Sequence, residues 1–179
     1  MKKRILFASC ALLGGAAQAQ LTIDDQLTPQ QLVQDVLLGA GVTVSNISFN
    51  GVLNPVGVQP GSASFTATNS NLGLSAGVLL TSGVTQGVAG PASFFARGTT
   101  STGRDPDLVT LANPNTHDRA VLEFDCVPQG DSVKFRYVFG SEEYPEYVCT
   151  NFNDAFGFFL SGPGINGTFT NGAVNIARV

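Results

Sequence analysis

The chain has 179 residues, 12% of them charged and 43% hydrophobic, with 21 Gly, 9 Pro and no Trp. It is too apolar for a disordered chain and too rich in turn formers for a helical bundle, and its length fits one domain with its own core. Nine Lys and Arg against 13 Asp and Glu give a formal charge of −4. The basic surface that a phosphate backbone requires is missing, which excludes nucleic acid as a partner.

Met1-Lys2-Lys3-Arg4 is a basic start, Ile5 to Ala17 a short apolar stretch, and Ala17-Gln18-Ala19 a small-x-small cleavage site. This is the pattern of a secretory signal peptide over residues 1–19, too short to span a bilayer. Phe7-Ala8-Ser9-Cys10 offers a lipoprotein alternative, but the apolar run before Cys10 is shorter than such a signal needs. The domain is expected over 20–179. Without Lys2, Lys3 and Arg4 the 9 basic residues fall to 6 against 13 acidic, a formal charge of −7. Cys126 and Cys149 are then the only cysteines, and in an oxidising compartment a disulfide is expected over a metal site or two buried thiols. It would constrain the unfolded chain by about 3 kcal/mol.

Thr28-Pro29-Gln30-Gln31 supplies a helix cap, a proline at the first helical position and a Gln three residues after the cap. Leu32, Val33, Val36 and Leu37 continue as an apolar stripe that Gly39 can end. One short helix is expected to open the domain. The period then becomes two: Val42-Thr43-Val44 and Ile47-Ser48-Phe49 alternate, with a slip at Ser45-Asn46 that predicts a bulge, and Asn50-Gly51 predicts a hairpin turn. From Val52 to Gly103 short apolar runs such as Gly77-Val78-Leu79-Leu80 predict strands and loops.

Ala120 to Phe139 reads as an antiparallel hairpin. With Phe124 facing Phe135, Glu123 falls opposite Arg136 and Asp125 opposite Lys134, so both faces support one register. Asp154 to Leu160 is apolar on both faces and predicts a central, covered strand. The chain stops inside a strand-like run, Asn175-Ile176-Ala177-Arg178-Val179, which suggests a longer protein. Short strands, frequent turns and one helix together predict a mostly β fold, an antiparallel β-sandwich of jelly-roll type.

Two letter-matches to catalytic motifs fail on context. Gly73-Leu74-Ser75-Ala76-Gly77 with Asp105 and His117 has the order of an α/β-hydrolase triad, but no βα succession surrounds Ser75. Gly162-Pro163-Gly164-Ile165-Asn166-Gly167 spells a dinucleotide fingerprint, but turn residues follow it instead of a helix.

A stronger cluster is acidic: Glu142, Glu143 and Glu146 with Asn153 and Asp154, which Asp105 and Asp107 of a second loop could join. These are hard oxygen ligands and candidates for Ca²⁺, without EF-hand spacing. Zinc lacks nitrogen and sulfur ligands. As neighbours in a strand, Glu142 and Glu143 would point to opposite faces and could not alone form a glycosidase pair. Sugar stacking is weakened by the lack of Trp and by Tyr137 and most phenylalanines reading as core.

The runs Phe135-Arg136-Tyr137-Val138-Phe139-Gly140-Ser141-Glu142-Glu143-Tyr144 and Phe152-Asn153-Asp154-Ala155-Phe156-Gly157-Phe158-Phe159-Leu160-Ser161-Gly162-Pro163-Gly164 resemble the choice-of-anchor L domain. Similar positions include Gly77-Val78-Leu79-Leu80-Thr81-Ser82-Gly83 and Asp105-Pro106-Asp107-Leu108. The resemblance implies an exported bacterial surface protein with one of several anchoring tails and supplies no catalytic residues. The expected function is a non-catalytic, adhesin-like module at the cell surface that binds an extracellular glycan or protein, with calcium as a stabiliser. The alternatives are a secreted hydrolase of polysaccharide or ester, using Glu142 or Glu143 with Asp154 or else Ser75 with His117, and a structural spacer.

Overall fold

The computed structural model describes residues 20–90, 98–112, 116–141, 147–150 and 154–177. The expected signal peptide, residues 1–19, lies outside the described residues.

The described chain is mostly β, in three antiparallel sheets. β1 (Gln20–Asp24), β4 (Ser62–Thr68) and β5 (Ala76–Leu80) form one sheet in the order β1-β4-β5. β2 (Val42–Phe49), β3 (Val52–Leu53) and β6 (Leu122–Pro128) form another in the order β3-β2-β6. β7 (Phe159–Leu160) and β8 (Val174–Asn175) make a two-stranded pair. Between β1 and β2 lies the helical segment α1, Pro29–Gln31, which continues as a π-helical stretch over Leu32–Leu37. Strand β1 precedes it, which corrects the expectation that the helix opens the domain.

The start of α1 follows the sequence signal: Thr28 accepts from Gln31 N at 3.3 Å while the Gln31 side chain accepts from Thr28 N at 2.9 Å. Two helix-terminal donors are thus satisfied reciprocally. The widening to π geometry shows in Leu38 N donating to Val33 O, five residues back, at 3.1 Å. This stretch buries Leu32 and Val33 completely. It packs on β4 and β5, and the start of α1 packs on β2, so the helix joins the two larger sheets. Ile47 and Phe49 from β2, Ala63 and Phe65 from β4, and Ala173 just before β8 complete the buried apolar core among the described residues.

Strand β2 behaves as its sequence predicts. Its register with β6 shifts between Ser45 and Ser48, and Asn46 has φ +53. Asn50 (φ +50) and Gly51 (φ +83) turn the chain so that Phe49 faces Val52, the left-handed pair a two-residue hairpin requires. At the far end, Gly162–Gly167 forms turns and no helix, as expected: Ile165 N donates to Gly162 O at 3.0 Å and Gly167 N to Gly172 O at 2.7 Å.

The hairpin expected over Ala120–Phe139 is not formed. β6 pairs instead with β2, with Val44 opposite Cys126, Ser45 opposite Asp125 and Ser48 opposite Glu123. Glu123 accepts from Ser48 Oγ at 3.2 Å and Asp125 from Asn46 Nδ2 at 2.6 Å. Polar cross-strand bonds on one face and apolar partners on the other satisfy β6 as well as the expected neighbour would. Residues 131–140 are exposed and outside any strand. The covered central strand expected over Asp154–Leu160 is a strand only at Phe159–Leu160.

A second helix, α2 (Pro106–Leu111), stands where an acidic loop was expected. Asp105 caps it, accepting from Asp107 N at 2.9 Å and Leu108 N at 3.1 Å, and Pro106 fills the first turn. Asp-Pro is a helix-start signal in its own right.

Candidate functional site

A hollow lies beside Asp25, just after β1. The 3₁₀ turn Thr85–Ala89 packs against β1 and brings two donors to one carboxylate. Gln86 Nε2 donates to Asp25 Oδ2 at 3.1 Å and Thr85 Oγ1 to the same oxygen at 3.3 Å, while Gln26 Nε2 donates to Oδ1 at 2.6 Å. The Gln86 amide first, then Gln26, hold the Asp25 carboxyl below its ordinary range, with desolvation working weakly against them.

The facing wall is backbone. Gly61 has φ +80, and a Cβ there would lie 2.5 Å from Thr81 O. Thr81 N donates to Gly61 O at 2.9 Å, so the two chains touch through main-chain atoms. Two adjoining hollows of about 250 and 330 Å³ share Asp25, Pro60, Gly61 and Thr85; the larger also takes in Thr99 and Thr100. Asp25 is the one carboxylate lining either hollow among the described residues. A facing pair of acids for glycoside cleavage is therefore not assembled there. The walls offer a fixed carboxylate, amides, hydroxyls and peptide groups, a surface suited to a polyhydroxylated ligand.

The residues expected to hold Ca²⁺ have the following places. Asp105 is the cap of α2. Asp107 Oδ1 accepts from both Thr170 N and Thr170 Oγ1 at 2.9 Å, fastening α2 to the turn before β8. Asp154 is exposed and accepts from Ser141 Oγ at 2.6 Å. Glu142, Glu143, Glu146 and Asn153 lie outside the described residues. Among the described residues no three of His, Cys, Asp and Glu gather into a metal-sized group.

Cys126 and Cys149 carry free thiols, so the expected bridge is not made in this structure. Cys126 is held half-buried on β6 by pairing with β2, whereas Cys149 is exposed in a turn with φ +65. Ser75, before β5, and His117 are both exposed, and no hydrogen bond joins them among the described residues.

The aromatic residues correct another expectation. Phe135, Tyr137 and Phe139, read as core, are 38%, 38% and 50% exposed. Phe135 packs on Phe158 at 4.7 Å between ring centroids, and Tyr137 and Phe139 on Phe156 at 5.1 and 5.9 Å. The ring pairs run in opposite chain directions along the two segments, and the rings of Phe135, Tyr137 and Phe139 stay open to solvent on one side.

The family model of the choice-of-anchor L domain matches residues 21–179. The chain belongs to the choice-of-anchor L domain family. No curated protein and no solved structure matches it. The matched residues include those that line the Asp25 hollow and those of the exposed aromatic strip. Family membership points to a non-enzymatic module of an exported cell-surface protein. No helix among the described residues is long and apolar enough to cross a membrane.

Proposed function

We propose that this choice-of-anchor L domain is an adhesin-like, non-catalytic module that binds an extracellular glycan in the hollow beside Asp25. The observation that carries the reading is the wall chemistry: one carboxylate fixed by Gln86, Gln26 and Thr85, facing peptide groups at Pro60-Gly61 and the hydroxyls of Thr99 and Thr100. Such a wall recognises a ligand by directional hydrogen bonds and gives it a single carboxylate rather than a cleaving pair. The proposal includes Ca²⁺ in the loops around Glu142, Glu143, Asn153 and Asp154, supported by their oxygen-ligand composition.

The test is binding to a panel of neutral and amino-substituted oligosaccharides, read by NMR shifts. Binding that shifts amides at 59–62 and 83–86 and weakens by about tenfold or more in Asp25→Ala supports the reading. Identical binding by wild type and Asp25→Ala overturns it. Hydrolysis of a panel member that is lost in Glu142→Gln or Glu143→Gln would establish the hydrolase alternative.

A further inference from the structure

Among the described residues the edge of β6 and the stretch 133–136 are open, and their side chains match. Among the described residues β6 is the outer strand of its sheet, bonded to β2 on one side only. Along it Glu123 and Asp125 are exposed and alternate with half-buried Leu122, Phe124 and Cys126. Residues 132–140 are exposed throughout, and their sequence alternates charged and apolar, with Lys134 and Arg136 set between Val133, Phe135 and Tyr137. Residues 133–136 make no backbone hydrogen bond among the described residues, and Lys134 and Arg136 make no ion pair there.

A bare strand edge is a template for another strand, and cross-strand charge decides which strand it accepts. Two β6 edges paired antiparallel would oppose Glu123 with Asp125. Two 132–140 segments would oppose Lys134 with Arg136. Both self-pairings are repulsive. The mixed pairing with Phe124 opposite Phe135 sets Glu123 against Arg136 and Asp125 against Lys134, and brings Leu122 to Tyr137 on the apolar face. Within one copy the two edges are not joined among the described residues, and the segment lies against its own Phe156 and Phe158.

We infer that the edges join between copies: β6 of each chain accepts residues 132–140 of a second copy, and a twofold axis makes the exchange reciprocal. The interface is isologous, which closes the assembly at two chains and covers the edge of β6 and the open stretch 133–136 at once. It also covers Val127, 67% exposed in the single chain, and the exposed rings of Phe135 and Tyr137.

Sedimentation velocity of the full chain over a range of concentrations tests this. The expected result is a dimer whose dissociation constant rises about tenfold or more in Lys134→Glu with Arg136→Glu, because four attractive cross-strand pairs per dimer become repulsive. These side chains are exposed, so circular dichroism is expected to be unchanged. The decisive arm is mixing. A second variant, Glu123→Lys with Asp125→Lys, is expected to be monomeric alone and to form a heterodimer with the first. Absence of the heterodimer, or a wild type monomeric throughout with 132–140 amides protected from exchange, overturns the exchange and leaves pairing within one chain.

Losing the bonds to Ser48 and Asn46 could unfold the second variant. A cross-link then replaces it: Glu123→Cys with Arg136→Cys, in a chain carrying Cys126→Ser and Cys149→Ser. Oxidation to a covalent dimer supports the proposal. A covalent monomer, or no cross-link at all, refutes it.

Discussion

Asp107, expected as a calcium ligand, holds two distant parts of the chain together, a link that a single substitution can measure. Its Oδ1 accepts from Thr170 N and Thr170 Oγ1, both at 2.9 Å, and joins α2 to the turn before β8 across 63 residues of sequence. A hydrogen bond to an ionised acceptor contributes about 1.5 kcal/mol or more when dry, and this pair is in contact with water, so about 1 kcal/mol each is appropriate. Asp107→Ala is therefore expected to destabilise the protein by about 2 kcal/mol, and Asp107→Asn, which keeps an acceptor oxygen, by about half of that. For a chain of this size that is a fall in Tm of about 4 to 8 °C for the alanine variant. Thermal unfolding followed by circular dichroism gives the number. A cycle with Thr170→Ala isolates the hydroxyl bond, with an expected coupling of about 1 kcal/mol. The same shift is expected with Ca²⁺ and with excess chelator, since both Asp107 and Asp105 are engaged with the chain's own donors. A shift below about 1 °C, or one that vanishes in chelator, would refute the clamp and return Asp107 to the metal reading.

Three further outcomes follow from the geometry. Gly61→Ala places a Cβ 2.5 Å from Thr81 O at φ +80, and denaturant unfolding is expected to show a loss of about 3 kcal/mol from crowding plus backbone strain. Asp25 has its carboxyl pKa lowered on folding, so the stability it confers is full above the ordinary value of 3.8 and is lost as pH falls below that value through the folded pKa. Unfolding midpoints at successive pH values should show a fall below that point that is smaller in Asp25→Asn; equal falls in both proteins would contradict it. Exposed Cys149 should react with a thiol reagent in the native state well before half-buried Cys126, as mass spectrometry of partly labelled protein would show.

Local chemistry was legible in the sequence because local rules have few solutions. The Thr28 to Gln31 capping box, the bulge at Ser45-Asn46 and the Asn50-Gly51 turn are each specified by residues in direct contact along the chain. The partner of β6 was not legible, because its alternation fits two strands. Glu123 and Asp125 find cations at Arg136 and Lys134 on the next run, but also an amide at Asn46 and a hydroxyl at Ser48 on β2. Proximity in sequence favoured the first, and the structure uses the second. The signal for α2 was present at Asp105-Pro106 and is overlooked when two acidic residues flanking a proline are read as metal ligands. The Asp25 hollow left no motif at all, because its walls come from separate segments whose Gln, Thr and Gly residues are individually unremarkable.

The acidic balance of the chain acquires a structural meaning from how the carboxylates are used. Asp24 accepts from Gln26 N, Asp105 from the first turn of α2, Asp118 from Ser101 N and Thr99 Oγ1, and Asp125 from Asn46. Neutral donors take the place that cations hold in proteins built on ion pairs, and each such bond fixes a loop or a strand edge at short range, where salt screens it little. Among the described residues this use of Asp leaves the cations of Lys134 and Arg136 without an ion pair on the exposed segment beside the aromatic strip. On a chain of net negative charge they form a local positive feature, which favours approach by an acidic edge over any other part of the surface. The acidic edge of β6 meets that description in every copy of the chain, so the charge pattern that stabilises one chain also selects how a second would join it.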